Sequence, residues 1–389
     1  MGDKLTSRKV LLAATQAVAG VAEVLDPATD GILALSGAAV TPSGEVVGDD
    51  RLSSSLSKVQ HRVGKESMAL TYPCELRGGG ITGSAVAVPE FNPLLLACAM
   101  AKSAVVFLET GAATGTFEAG EALSGGTSSA TGTLIEFVDK NGVRGLLIEA
   151  VTGTFEDAEV VTGGDSAATA TASADPLTAW QYLPQSDPDA MAIATCGFNE
   201  SDHDFVSHDA RGTFSFDGQV GQVGKINFEM SGRYNNPTES ARVAPTLNTA
   251  LPPLVVGAGL KLGTFSPAGV NAIALAIGNS VVKDEDLNAS DGLAGFVITS
   301  REPSGSIDPK ADSLSTFNPY TDWKAGTLAV LDMLIGTAAG NRVYIRCPAV
   351  QYTDAPARGE REKRVTYGLN FQPKGAAAAG DDEIRLVFF

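Results

Sequence analysis

The chain has 389 residues, a formal net charge of −17, 44% apolar and 19% charged residues, and 43 glycines. That length allows two to three domains at roughly 100 to 200 residues each, and the abundant Gly, Ala, Ser and Thr tilt the chain toward strands and turns. So acidic a balance argues against binding a nucleic acid backbone, which takes clustered Lys and Arg. Val10-Leu-Leu-Ala-Ala14 gives way to polar Thr15 and Gln16. That run is too short for a signal peptide, and no run reaches the roughly 18 apolar residues of a spanning helix. A soluble chain made in the cytoplasm, without a membrane partner, is expected.

In chain order, Gly31 to Val47 reads as a strand pair, Gly48 to Gln60 as a polar loop, and Val63 to Arg77 as a third strand. A short helix is expected over Phe91 to Ala101. The next segment holds a repeat: TGTFEAGEALSGGTSSATGTL begins at Thr114 and TGTFEDAEVVTGGDSAATATA at Thr152, 38 residues later. Between the copies, Leu134 to Val138 and Gly145 to Glu149 flank Asn141-Gly142, a strong type I′ hairpin signal. From Gly111 to Asp175 there are ten acidic and two basic residues, a net −8. We expect residues 111–175 to be an inserted β module displayed outside the main body.

After the insert come a strand from Met191 to Phe198 and a hairpin of Arg211 to Gly218 with Lys225 to Tyr234. The rest repeats the first half faintly. Val270 to Asp286 matches the first strand pair, Gly295 to Pro303 the third strand and Tyr320 to Gly336 the helix. Asn341 to Tyr352, Lys363 to Phe371 and Glu383 to Phe389 supply closing strands. Alternation is plain in Arg211 to Asp217 and Arg364 to Phe371. The second helix is expected over Thr321 to Ile335, capped by Thr321 or Asp322, with Trp323, Thr327, Val330, Leu331 and Leu334 forming its apolar stripe. The fold class is mainly β: two tandem sandwich or barrel domains, each flanked by one helix, plus the inserted module. Their bounds are 1–110 with 176–245 for the first and 246–389 for the second.

Sites of chemistry are scarce. Ser201 to Asp209 holds His203 and His208 with three Asp nearby, but strand period puts the histidines on opposite faces and no third His or Cys sits at ligand spacing; a polar turn is the better reading. Gly78 to Gly83 and Gly257 to Gly263 lack the spacing of phosphate loops. Pairs such as Asp49-Asp50 or Asp381-Asp382 lack an apolar pocket to raise a pKa. Cys74, Cys98, Cys196 and Cys347 are far apart, none in C-x-x-C spacing, and read as buried free thiols. No catalytic residue, cofactor or metal is assigned.

Several segments in order resemble one family. They are Lys9 to Ala13, Asp30-Gly-Ile-Leu33, Val40 to Val47 with Asp49-Asp50-Arg51 after it, Val63-Gly-Lys65 and Asn92 to Met100. Ile298 to Ser306, Gly336 to Val343 and Asp381 to Arg385 continue the series. Together they are similar to the major tail tube proteins of long-tailed bacteriophages, especially those of Mu-like siphophages. The resemblance implies a structural virion protein, not an enzyme, whose sandwich domains join sheets around a lumen. It implies as partners copies of itself and the tape measure, tail terminator and distal tail proteins, with DNA passing through without specific binding. Two domains per chain favour a ring of three subunits over six. The polar loop, with Asp49, Asp50, Arg51, Leu52 and Lys58, and its shorter counterpart, with Asp284 and Glu285, are candidate contacts to a neighbouring ring. The C-terminal strand, with Leu386 and Phe388, is expected to be tied into a sheet yet offer an edge for strand addition. The acidity serves either to repel DNA from the lumen or to keep the free subunit soluble. The alternative function is a virion decoration or adhesion protein acting through the inserted module.

Overall fold

The computed structural model describes residues 9–48, 57, 60–240 and 244–389. Among them the chain is mainly β, with two short helices. β1 (Lys9–Gln16), β2 (Gly31–Ile32), β3 (Ala39–Val47) and β4 (Arg62–Glu75) come first. β5 (Ile81–Thr82) and β6 (Ala85–Val86) lead into α1 (Asn92–Ala97) and β7 (Met100–Glu109). The acidic segment forms β8 (Ala122–Gly125), β9 (Thr131–Lys140), β10 (Val143–Thr152), β11 (Val160–Gly163) and β12 (Thr169–Thr171). Then follow β13 (Leu177–Pro184), β14 (Ile193–Glu200), β15 (His203–Gln219), β16 (Lys225–Tyr234), β17 (Thr238–Glu239) and β18 (Lys261–Leu262). The remainder is β19 (Ala272–Ala276), β20 (Asn279–Glu285), β21 (Leu293–Arg301), β22 (Ser304–Ile307), α2 (Pro319–Ala325), β23 (Ala329–Ile335), β24 (Val343–Tyr352), β25 (Ala357–Arg361), β26 (Arg364–Lys374) and β27 (Arg385–Phe388).

Eight strands form one antiparallel sheet in the order β3-β4-β16-β15-β19-β22-β26-β25. Four come from each half of the chain, and β15 meets β19 from Gln219 opposite Ala272 to Ser215 opposite Ala276. Alternation sends Tyr72, Cys74, Phe214, Phe216, Ile226, Phe228, Leu275 and Phe371 into the core. A second layer covers that face, in the order β9-β10-β7-β13-β27-β24-β23. It too crosses between the halves, through β27. The Tyr72 hydroxyl donates to the Gly197 carbonyl at 3.2 Å, so this buried aromatic leaves no polar atom without a partner.

The second helix departs from expectation. It runs only from Pro319 to Ala325, starts at Asn318, whose side chain accepts from the Thr321 amide, and stops at Gly326 in the left-handed region with φ 66°. Gly reaches that φ without penalty, so the backbone turns there, and Ala329 to Ile335 become a strand with its last five residues buried. Leu331 and Leu334 are core residues of that strand, whereas Trp323 and Leu328 are exposed. A run such as Val-Leu-Asp-Met-Leu-Ile satisfies both a helical stripe and a buried strand, and β24 is there to take up its backbone groups. The first helix is shorter than expected in the same way, giving way to β7 at Met100.

Candidate assembly surfaces

Three surfaces are built by this topology: the open face of the eight-stranded sheet, its two edges, and two hairpins that extend past it.

The open face carries short polar side chains in cross-strand rows. One row runs Glu75, Lys225, Asp217, Ala274, Ser306, Asn370; the next runs Pro73, Asn227, Ser215, Ala276, Ser304. All are exposed or half-buried. Alternation explains why: each sits one residue from a core position and points the other way. A groove of about 470 Å³ runs over Thr213, Ser215, Asn227 and Ala276.

At the edges, among the described residues, β3 pairs only with β4, and β25 only with β26. β3 is exposed almost throughout and carries Pro42, a residue that edge strands tolerate because it has no amide to donate. β25 holds Arg358 and Arg361, also largely exposed. The C-terminal strand is not such an edge. β27 is tied into the sheet but hydrogen-bonded on both sides, to β13 and β24, and Leu386 and Phe388 are buried. Phe388 packs against Phe91 and Tyr182 with ring centroids 5.8 Å and 5.6 Å away. The strand-addition role expected of Leu386 and Phe388 is therefore corrected: their backbone and side chains are used inside the chain.

The hairpins rise from the same end of the sheet. β3 and β4 extend toward Gly48, and β20 and β21 form a separate two-stranded sheet. Asp49, Asp50, Arg51, Leu52 and Lys58 lie outside the described residues. Asp284 and Glu285 end β20, on the second hairpin. The Glu285 carboxylate accepts from Lys65 at 2.6 Å, which joins the two hairpins.

The acidic segment has a local twofold arrangement. β8 and β11 pair antiparallel about Ser124 and Thr162, equivalent positions of the two copies. Glu121 of the first copy reaches the turn of the second, accepting from the Ser166 amide at 3.0 Å, the Ser166 hydroxyl at 2.9 Å and the Asp165 amide at 3.2 Å. Glu159 of the second returns the exchange, accepting from the Ser128 amide at 3.1 Å, the Ser128 hydroxyl at 2.9 Å and the Thr127 amide at 3.3 Å. Burial opposes ionisation of both carboxyls, but these donors and the amides of Glu118 and Glu156 hold them below the ordinary carboxylate value.

This segment is docked rather than held off the body. β10 extends the second layer by pairing with β7, and Ile135, Val138, Val143 and Leu147 share a core with Leu334, Tyr344, Val387 and Phe389. Cations from the second half meet its carboxylates: Arg385 with Glu149 at 2.8 Å, Arg346 with Glu136, and, on adjoining β7, Arg342 with Glu109 at 3.0 Å. In return the segment's Lys140 pairs with Asp332 at 3.1 Å and donates to the Gly259 carbonyl at 2.7 Å. Both side chains are buried, and the Tyr344 hydroxyl donates to Asp332 at 3.0 Å. Burial pulls the Lys140 ammonium below its ordinary value, with Asp332 acting against that. Charge alone suggested an exposed module; Glu121, Glu136, Asp139, Glu149 and Glu159 instead have specific partners.

The remaining sequence candidates fall elsewhere. His203 and His208 lie within β15, not in a turn, and His208 is hydrogen-bonded to Asn235 at 3.1 Å. Among the described residues no three His, Cys, Asp or Glu side chains gather as a metal site. All four cysteines are buried and free. No helix of the described residues is long and apolar enough to cross a membrane.

The described strands make a two-layer antiparallel scaffold with an open polar sheet face. A family model described as phage tail tube protein matches residues 6–384, and the chain belongs to that family. It is thus a structural component of a phage tail. No curated protein matches the chain.

Proposed function

We propose that the chain is a tail tube subunit that closes into rings and stacks them into a conduit for genome delivery. The observation that carries this reading is the eight-stranded sheet, in which two four-stranded units already sit side by side. β15 and β19 form a seam between the units, and the same kind of seam is left unmade at β3 and β25. Joining the β25 side of one copy to β3 of the next repeats the internal join, a head-to-tail contact that gives a closed ring when its rotation sums to a full turn.

On this reading the units are the two tube domains, residues 1–110 with 176–245 and residues 246–389, with 111–175 as an insert. Three chains complete a pseudo-sixfold ring. The open face becomes the lumen wall, whose short Ser, Ala, Thr and Asn side chains leave the bore clear. Its carboxylates, such as Glu75, Asp217 and Glu229, disfavour phosphate within a Debye length of about 8 Å. DNA then slides rather than binds, and the other tail proteins meet the tube at its ends and inside its bore. The Mu-like siphophage type fits the order of the sequence segments.

Negative-stain electron microscopy of the purified protein at rising concentration tests this. Hollow tubes with a regular axial repeat are expected. Compact particles at every concentration, even with tail-initiation proteins added, would refute it.

A further inference from the structure

Leu287, at the tip of the β20–β21 hairpin, is fully exposed. Its neighbours are Asp284, Asp286 and Glu285, the last paired with Lys65, so the tip is an apolar knob in an acidic collar. A solvated leucine at a hairpin tip stabilises nothing inside its own chain.

The opposite end of the same strand run opens on a cavity of about 640 Å³. Its apolar lining includes Val220, Val255, Val256, Leu260, Ile273 and Met333. Val220 and Val256 are about half exposed. Asn141 of the inserted module forms part of the wall, donating to the Val256 carbonyl at 3.3 Å. The rim carries two cations: Lys261 lines the cavity and is exposed, and Lys310 lies along Gly269, another lining residue, while the one exposed lining carboxylate, Asp139, is paired with Arg144 at 3.1 Å.

Knob and cavity are at opposite poles. Ala272 and Ile273 line the cavity at the start of β19, and the chain runs on through β19 and β20 to Glu285 beside the knob. At about 3.3 Å per residue that run is up to roughly 40 Å long, broken once at Gly278, where φ is +67°. Complementary features at opposite poles define a heterologous contact that repeats along an axis.

We propose that Leu287 of one copy seats in the Val220–Val256 cavity of a copy in the adjacent ring, with its acidic collar against Lys261 and Lys310. The occupant is a second copy of this chain. The inference rests on the tube reading and deepens it by naming the axial contact. It also gives the inserted module a part in stacking, because that module supplies one wall of the cavity.

Leu287→Asp tests it, at a tip where nothing in the fold depends on the side chain. Losing one buried leucine anchor and adding like charge raises the tube-forming concentration by more than about tenfold, while isolated rings persist. Leu287→Cys with Val256→Cys provides a second readout. The four native thiols are buried, so oxidation of preformed tubes should link chains of adjacent rings. Leu287→Asp tubes at the unaltered protein's concentration would overturn the contact and leave the tube reading intact. So would cross-links formed within isolated rings. Failure of the unaltered protein to form rings or tubes would instead overturn the reading beneath it.

Discussion

On the proposed reading, the molecule contains two duplications put to opposite uses. The small one, in residues 114–172, is closed: each copy's glutamate fills the other copy's turn, and β8 and β11 pair about a local twofold. The large one would be tandem: β15 meets β19, and among the described residues β3 and β25 have no outer partner strand. A twofold exchange satisfies itself after two copies, whereas a head-to-tail join always leaves one donor edge and one acceptor edge. The first therefore makes a finished module, and the second, on the proposed reading, makes a piece of something larger.

That contrast can be broken at the place where the closed module meets the open one. Lys140→Met leaves Asp332 buried without its cation and should cost about 3 to 5 kcal/mol, while adding Asp332→Leu should recover most of that. Denaturant titration of the single and double variants checks this; equal stability of the two would contradict it. Smaller losses are expected inside the closed module. Glu121→Gln and Glu159→Gln should each cost about 1 to 3 kcal/mol, and by about the same amount, because their donor sets are equivalent.

The same pair sets an acid response. Both carboxyls are held below their ordinary value, so their contribution is complete above the unfolded carboxylate pKa and is lost as pH falls through the folded one. Melting should therefore move down on acidification below about pH 4, less so in the doubly substituted protein. A melting temperature that falls equally in both would show that other carboxylates dominate. The smallest effect, about 1 kcal/mol, is expected for Gly142→Ala, since φ is +76° in the hairpin turn although nothing lies within 4 Å of the new methyl.

Much of the scaffold was legible because period-two alternation is a local signal: Arg211 to Asp217 and Arg364 to Phe371 are strands with one buried face, as read. The repeat and its Asn141-Gly142 turn were legible for the same reason. The partners were not. Nothing near Glu149 or Glu136 in the chain indicates that Arg385 and Arg346 will meet them, and those contacts turned an expected outlier into a docked layer. Ala329 to Ile335 failed differently. Its pattern suits helix and strand alike, and Gly326, which lies inside the expected helix, was the residue that ended it. Phe388 shows a third limit: an apolar terminal strand looks the same in sequence whether it forms an edge or fills the middle of a sheet.

The central claim is that the unmade seam at β3 and β25 is completed by another copy, three chains to a ring. High-resolution electron cryomicroscopy of assembled tubes tests it most directly. The account predicts an unbroken inner sheet in which the β25 side of each chain is hydrogen-bonded to β3 of the next, closing after three chains. An inner wall interrupted between chains, or one closed through other strands, would contradict it.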